Sequence, residues 1–84
     1  MKLRAMVGDT EKHEVELEQG WLGRRKVMID GDDIIDKWEI TSFSKTMRLS
    51  MGEEEKHDLR VKFSRGLGGL KIDLYVDGKL SAKA

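Results

Sequence analysis

Leu70-Lys71-Ile72-Asp73-Leu74-Tyr75-Val76, closed by Asp77-Gly78-Lys79, is the stretch that decides the fold. Leu70, Ile72, Leu74 and Val76 are apolar, and charged Lys71 and Asp73 stand between the first three. Successive side chains of a strand point to opposite faces, so this spacing sets one row against a core and the other against water. Tyr75 is out of phase with Leu74 and Val76 and is expected to face outward. Asp77-Gly78 suits a two-residue type I′ turn, in which both central residues take positive φ.

The same alternation recurs upstream. Val15 and Leu17 alternate with Glu14, Glu16 and Glu18, with none of the three- and four-residue spacing that a helix needs. Val27 and Ile29 follow, then Trp38 and Ile40, then Met47, Leu49 and Met51, then Leu59, Val61 and Phe63. Gln19-Gly20, Asp30-Gly31, Gly52 and the run Gly66-Leu67-Gly68-Gly69 separate them. The pattern predicts strands near 2–7, 12–18, 24–30, 33–36, 37–43, 45–51, 57–64, 69–76 and 79–82. The first has the weakest alternation and reads as a frayed edge. Thr41-Ser42-Phe43 breaks the phase, as a bulge or strand end does. Glu53-Glu54-Glu55-Lys56 is too short to nucleate a helix and reads as a charged, solvated loop.

About eight short antiparallel strands with regular turn signals predict an all-β domain, an antiparallel β-sandwich, with a small closed β-barrel as the alternative. Val27-Met28-Ile29-Asp30-Gly31 and Leu74-Tyr75-Val76-Asp77-Gly78 look alike. Common hairpin chemistry accounts for that likeness without duplication, and no clear repeat is expected elsewhere.

Eighty-four residues make one domain, 1–84. A chain this short buries only roughly 60% of its unfolded surface, which favours a binding surface over a reactive cavity. Sixteen basic residues balance sixteen acidic ones, and that neutrality argues against nucleic acid and for self-association. The basic cluster Arg24-Arg25-Lys26 is preceded by Glu11, Glu14, Glu16 and Glu18, which compete with phosphate for it. The absence of cysteine excludes disulfides, thiol chemistry and cysteine-based zinc sites, and points to a reducing, cytoplasmic compartment. No apolar run reaches the ~18–20 residues of a membrane helix, and residues 1–9 do not read as a signal peptide.

No constellation for catalysis stands out. His13 shares the face of Val15, and nothing in the sequence brings it to His57 and a carboxylate, so both histidines read as structural or solvated and no metal or cofactor is expected. None of the serines sits in a nucleophile elbow. The Gly66–Gly69 run precedes a strand, whereas a phosphate loop feeds a helix. Asp30 reads as a turn former, and 53–55 as a solvated tip. Trp38, Phe43 and Phe63 read as core. Trp21, in a turn, is either a lid over the core or an interface anchor. The candidate interaction surface is therefore Trp21, Arg24, Arg25, Lys26 and Tyr75.

His13-Glu14-Val15-Glu16-Leu17-Glu18-Gln19-Gly20 followed by Gly23-Arg24-Arg25-Lys26-Val27-Met28-Ile29-Asp30-Gly31 resembles the Fas apoptosis inhibitory molecule (FAIM) family. That family shows a histidine-led strand ending in glycine, then a glycine and a basic pair leading into a strand that ends in Asp-Gly. Lys37-Trp38 is similar to the family's tryptophan after a short charged strand. Gly68-Gly69-Leu70-Lys71-Ile72-Asp73-Leu74-Tyr75-Val76-Asp77-Gly78-Lys79 resembles the strand and turn closing its first domain. The likeness runs in order through residues 12–83. It implies a compact antiparallel β-sandwich and a non-enzymatic protein. The family is associated with resistance to cell death and protection against protein aggregation, and its animal members carry two such domains where this chain has room for one.

The sequence thus predicts a non-catalytic cytoplasmic domain, without membrane or nucleic-acid partners, that contacts another protein or a second copy of itself; the alternative is a small-ligand-binding β-barrel, or an enzyme, with a site at the barrel mouth. Strand addition at an open sheet edge is the expected mode.

Overall fold

A computed structural model describes residues 1–20, 23–38, 44–66 and 68–84. They form eight strands: β1 (Lys2–Val7), β2 (His13–Gln19), β3 (Arg24–Ile29), β4 (Asp32–Trp38), β5 (Ser44–Met51), β6 (His57–Gly66), β7 (Gly69–Val76) and β8 (Lys79–Lys83). Within each half, strands consecutive in sequence pair antiparallel, giving one sheet in the order β1-β2-β3-β4 and a second in the order β5-β6-β7-β8. The sheets pack together, with β1 beside β8 and β2 beside β7. Among the described residues no strand pairing joins them, so the domain is a sandwich and not the closed barrel. Among the described residues no helix is long and apolar enough to cross a membrane.

Alternation builds the core as expected. Val7, Val15, Leu17 and Val27 from the first sheet meet Met47, Met51, Leu59, Val61, Phe63, Ile72 and Leu74 from the second. Asp30-Gly31 and Asp77-Gly78 are the two-residue turns predicted, with φ of 52° and 84° in the first and 51° and 83° in the second.

Several expectations need correction. The runs predicted at 33–36 and 37–43 are one strand as far as Trp38; Ile40, Phe43 and the bulge predicted at 41–43 lie outside the described residues. β1 is not frayed, since it pairs with β2 from Lys2↔Glu18 to Val7↔His13. Trp38 is not core: it stands opposite Arg24 on the outer face and is 60% exposed. Arg25 is not at the surface. It lies on the inward row of β3 with Val27 and is only 1% exposed. Its register partner Gln19 is equally buried and accepts a hydrogen bond from Arg25 Nε at 3.4 Å. The Gln19 amide donates to the carbonyls of Ser64 and Lys71, each at 3.1 Å, so this polar pair ties β2 to the opposite sheet.

The absence of a repeat also fails. The two sheets are successive four-stranded meanders of matching design. Val7-Gly8-Asp9-Thr10-Glu11-Lys12-His13 ends β1 and opens β2; Met51-Gly52-Glu53-Glu54-Glu55-Lys56-His57 ends β5 and opens β6 in the same way. Both Asp-Gly hairpins lead into a bulge at the same place. Ile34 is the unpaired residue in β4, because Val27 pairs with Ile35 and Met28 with Asp33. Ser81 is its counterpart in β8, because Leu74 pairs with Ala82 and Tyr75 with Leu80. Turn chemistry alone does not place a bulge at a fixed distance beyond the turn, so the likeness of the two hairpins is part of an internal repeat.

Candidate functional site

Two features can carry function: paired acid–histidine clusters at one end of the sandwich, and an exposed aromatic–basic patch on the outer face of β3 and β4.

The clusters follow one plan. Asp30 occupies its turn at positive φ, its amide donates to the Glu14 carbonyl, and its Oδ1 accepts from the Glu14 amide at 2.9 Å. Its other oxygen, Oδ2, lies 2.5 Å from His13 Nδ1. His13 Nε2 faces Glu11 Oε2, also at 2.5 Å. In the second sheet, Asp77 Oδ1 accepts from the Asp58 amide at 2.9 Å, and Oδ2 lies 2.7 Å from His57 Nδ1. Glu55 is looser, 3.4 Å from His57 Nε2.

Each glutamate then crosses to the other half. Glu11 accepts from the amides of Glu53 and Glu54, at 2.9 and 3.0 Å for its nearest contacts. Glu55 accepts from the amides of Asp9 and Glu11, at 2.9 and 3.2 Å. The loop at 53–55 is therefore more than a solvated tip. Gly8 (φ 112°) and Gly52 (φ 102°) make these loops possible, because a Cβ would lie 1.9 Å from the Glu11 carbonyl oxygen in the first and 2.0 Å from that of Glu55 in the second.

These contacts set the protonation states. Hydrogen bonding to His13 and to the Glu54 and Glu53 amides lowers the Glu11 pKa to about 2. Asp30 and then Glu11 raise the His13 pKa above its ordinary value, and Asp77 does the same for His57 with help from Glu55. His13 and the Glu14 amide hold Asp30 low; the Asp58 amide and His57 hold Asp77 low. Burial pushes Glu55 up, but the Asp9 and Glu11 amides, with His57, outweigh it and leave it lowered. With both ring nitrogens facing carboxylates, each imidazole is favoured as a cation, the opposite of what a metal ligand requires. Among the described residues no group of three His, Asp or Glu side chains is arranged to hold a metal ion. These clusters join the two halves of the molecule.

The outer face of β3 and β4 is different in character. Arg24 reaches Asp36 with Nε and Nη2 at 3.3 and 3.2 Å, and its guanidinium lies 5.9 Å from the Trp38 ring centroid. Asp36 raises the Arg24 pKa further, and its own is lowered in return. Lys26 pairs with Asp33 at 3.3 Å. Ile34, pushed out by the bulge, is 51% exposed. β4 is an edge strand, and among the described residues nothing pairs with its outer side.

Of the expected interaction residues, Arg24 and Lys26 share this face and Arg25 is turned away from it. Tyr75 lies on the outer face of the other sheet, half-buried beneath Arg60. Trp21 lies outside the described residues. The sequence reading missed Trp38 and Ile34. Ile34-Ile35 was the available signal, since adjacent apolar residues in a strand cannot both face inward without a bulge. No protein-family model, curated protein or solved structure matches this chain.

Proposed function

We propose that this chain is a non-enzymatic protein-interaction module that works through β4 and the Trp38–Arg24 patch, with a second copy of the chain as the partner. The observation that carries the reading is a large aromatic ring, 60% exposed, on an unpaired edge strand beside an arginine held in place by a carboxylate. Tryptophan and arginine are the residues most enriched among those that dominate interface energetics. An edge strand offers unpaired amides and carbonyls to an added strand. Zero net charge offers little repulsion between copies. The resemblance to the Fas apoptosis inhibitory molecule family, itself part of this proposal along with a cytoplasmic location, supports a non-enzymatic role, and a sandwich is the fold that it implies.

Sedimentation equilibrium over a wide concentration range tests the reading. The expected result is a concentration-dependent dimer that Trp38→Ser dissociates. A monomer at every concentration, with the fluorescence of Trp38 in a Trp21→Phe background equally open to a soluble quencher throughout, overturns it.

A further inference from the structure

The internal repeat exposes a reversal of charge. On the outer face of the first sheet Arg4 stands opposite Glu16, and the two form an ion pair at 3.4 Å. The other cations there are also matched: Lys2 lies 4.0 Å from Glu16, Arg24 is bound to Asp36 and Lys26 to Asp33. The equivalent of the Arg4–Glu16 pair in the second sheet is Arg48 opposite Arg60. Like charges directly across a strand pair are destabilising. At the next outward position on β6 the swap is two-sided: Lys62 stands opposite Asp73 where the first sheet has Glu18 opposite Lys26, which leaves the excess positive charge at Arg48 and Arg60. Among the described residues, none of Arg48, Arg60 and Lys62 forms an ion pair.

These side chains surround an open depression of about 610 Å³, completed by Thr46 and Tyr75. The Arg60 guanidinium lies 4.7 Å from the Tyr75 ring centroid, which steadies it over the sheet. Two arginines, a lysine, a threonine and a tyrosine thus line one hollow.

We propose that this face binds a compact oligophosphate group, two or three linked phosphoryl units such as polyphosphate or a nucleoside polyphosphate presents. Guanidinium groups match phosphoryl oxygens bidentately, and an ammonium adds a point charge. The bound anion supplies the countercharge that Glu16 supplies on the other sheet. Compactness follows from the borders: Asp58 precedes Arg60 on the outward row of β6, and Asp73 stands opposite Lys62, so an extended polyanion meets carboxylates at both limits.

Calorimetric titration of the full chain with sodium tripolyphosphate, paired with thermal unfolding, tests the site. The expected result is saturable binding and a higher Tm than sodium chloride gives at the same ionic strength. Arg60→Glu, which recreates the pairing of the first sheet, weakens binding about tenfold or more and raises Tm in the absence of ligand. Arg48→Gln weakens binding as well, and serves if Arg60→Glu does not fold. A nucleoside triphosphate binding more tightly than tripolyphosphate identifies a nucleotide as the source of the phosphates; equal binding identifies the free chain. Equal stabilisation by matched sodium chloride overturns the proposal, because simple screening of Arg48 and Arg60 then accounts for it. So does equal binding by wild type and Arg60→Glu, or tighter binding of a single-stranded oligonucleotide than of tripolyphosphate.

Discussion

Gly8 shows how narrowly some positions are defined. Its φ of 112° disfavours any side chain, and a Cβ would collide with the Glu11 carbonyl. Gly8→Ala is expected to cost about 2–4 kcal/mol, by combining a forbidden conformation with a displaced loop; urea unfolding measures it. Gln19 defines the other extreme, a polar side chain that the interior depends on. Gln19→Ala removes the donors to the Ser64 and Lys71 carbonyls and the acceptor for Arg25. Unfolding should become easier by about 1–3 kcal/mol, the cost of stranding buried polar groups; denaturant titration showing a smaller change would mean that other groups take over these bonds. Arg25 also shows what a linear reading loses. Strand alternation alone turns the middle of Arg24-Arg25-Lys26 inward, yet three adjacent cations invite reading as one surface patch. One of its hydrogen-bond partners, Gln19, sits on a neighbouring strand and leaves no local trace.

At the scale of strands and turns, period-two spacing and Asp-Gly pairs made seven of the eight strands readable near their observed bounds, because both signals are local. β4 resists because its bulge shifts the phase after Ile34, and Trp38, which reads as core beside Ile40, faces outward. The repeat was also within reach. Gly8, Glu11, Lys12 and His13 recur as Gly52, Glu55, Lys56 and His57, but substitutions such as Val7 for Met51 and Glu16 for Arg60 hide it from a reading that seeks similar strands. The edge itself yields a prediction. Trp38→Ser touches a side chain that is mostly in water, so folding stability should move by less than about 0.5 kcal/mol while the dimer dissociates. Parallel unfolding and sedimentation measurements separate the two effects, and a large loss of stability would mean that the ring supports the fold.

Across the whole molecule, the acid–histidine clusters impose a pH dependence with two limbs. The histidines have folded pKa values above the ordinary 6.5, so their contribution is complete below pH 6.5 and is lost as pH rises through the raised values. The carboxylates are lowered from ordinary values of 4.5 or 3.8, Glu11 to about 2, so theirs is complete above pH 4.5 and is lost on acidification. The urea midpoint should therefore be highest between about pH 4.5 and 6.5. The double variant His13→Gln with His57→Gln should lose the alkaline limb, and a limb that persists would assign it to other groups. A double-mutant cycle on Glu11→Gln and Glu55→Gln should show coupling, because each carboxylate orders the loop from which the other projects. Additive effects would mean that the two loops are independent.

That crosswise arrangement has a consequence for how such a chain could arise. Each half of the sequence holds both a plug and the socket that a like plug requires. A peptide of half this length, closing on its twin around a two-fold axis, would satisfy the same amides with the same carboxylates. Fusing the twins end to end would free each copy to drift, and the arginine that now stands where its counterpart kept a glutamate is the kind of difference only a fused pair can hold.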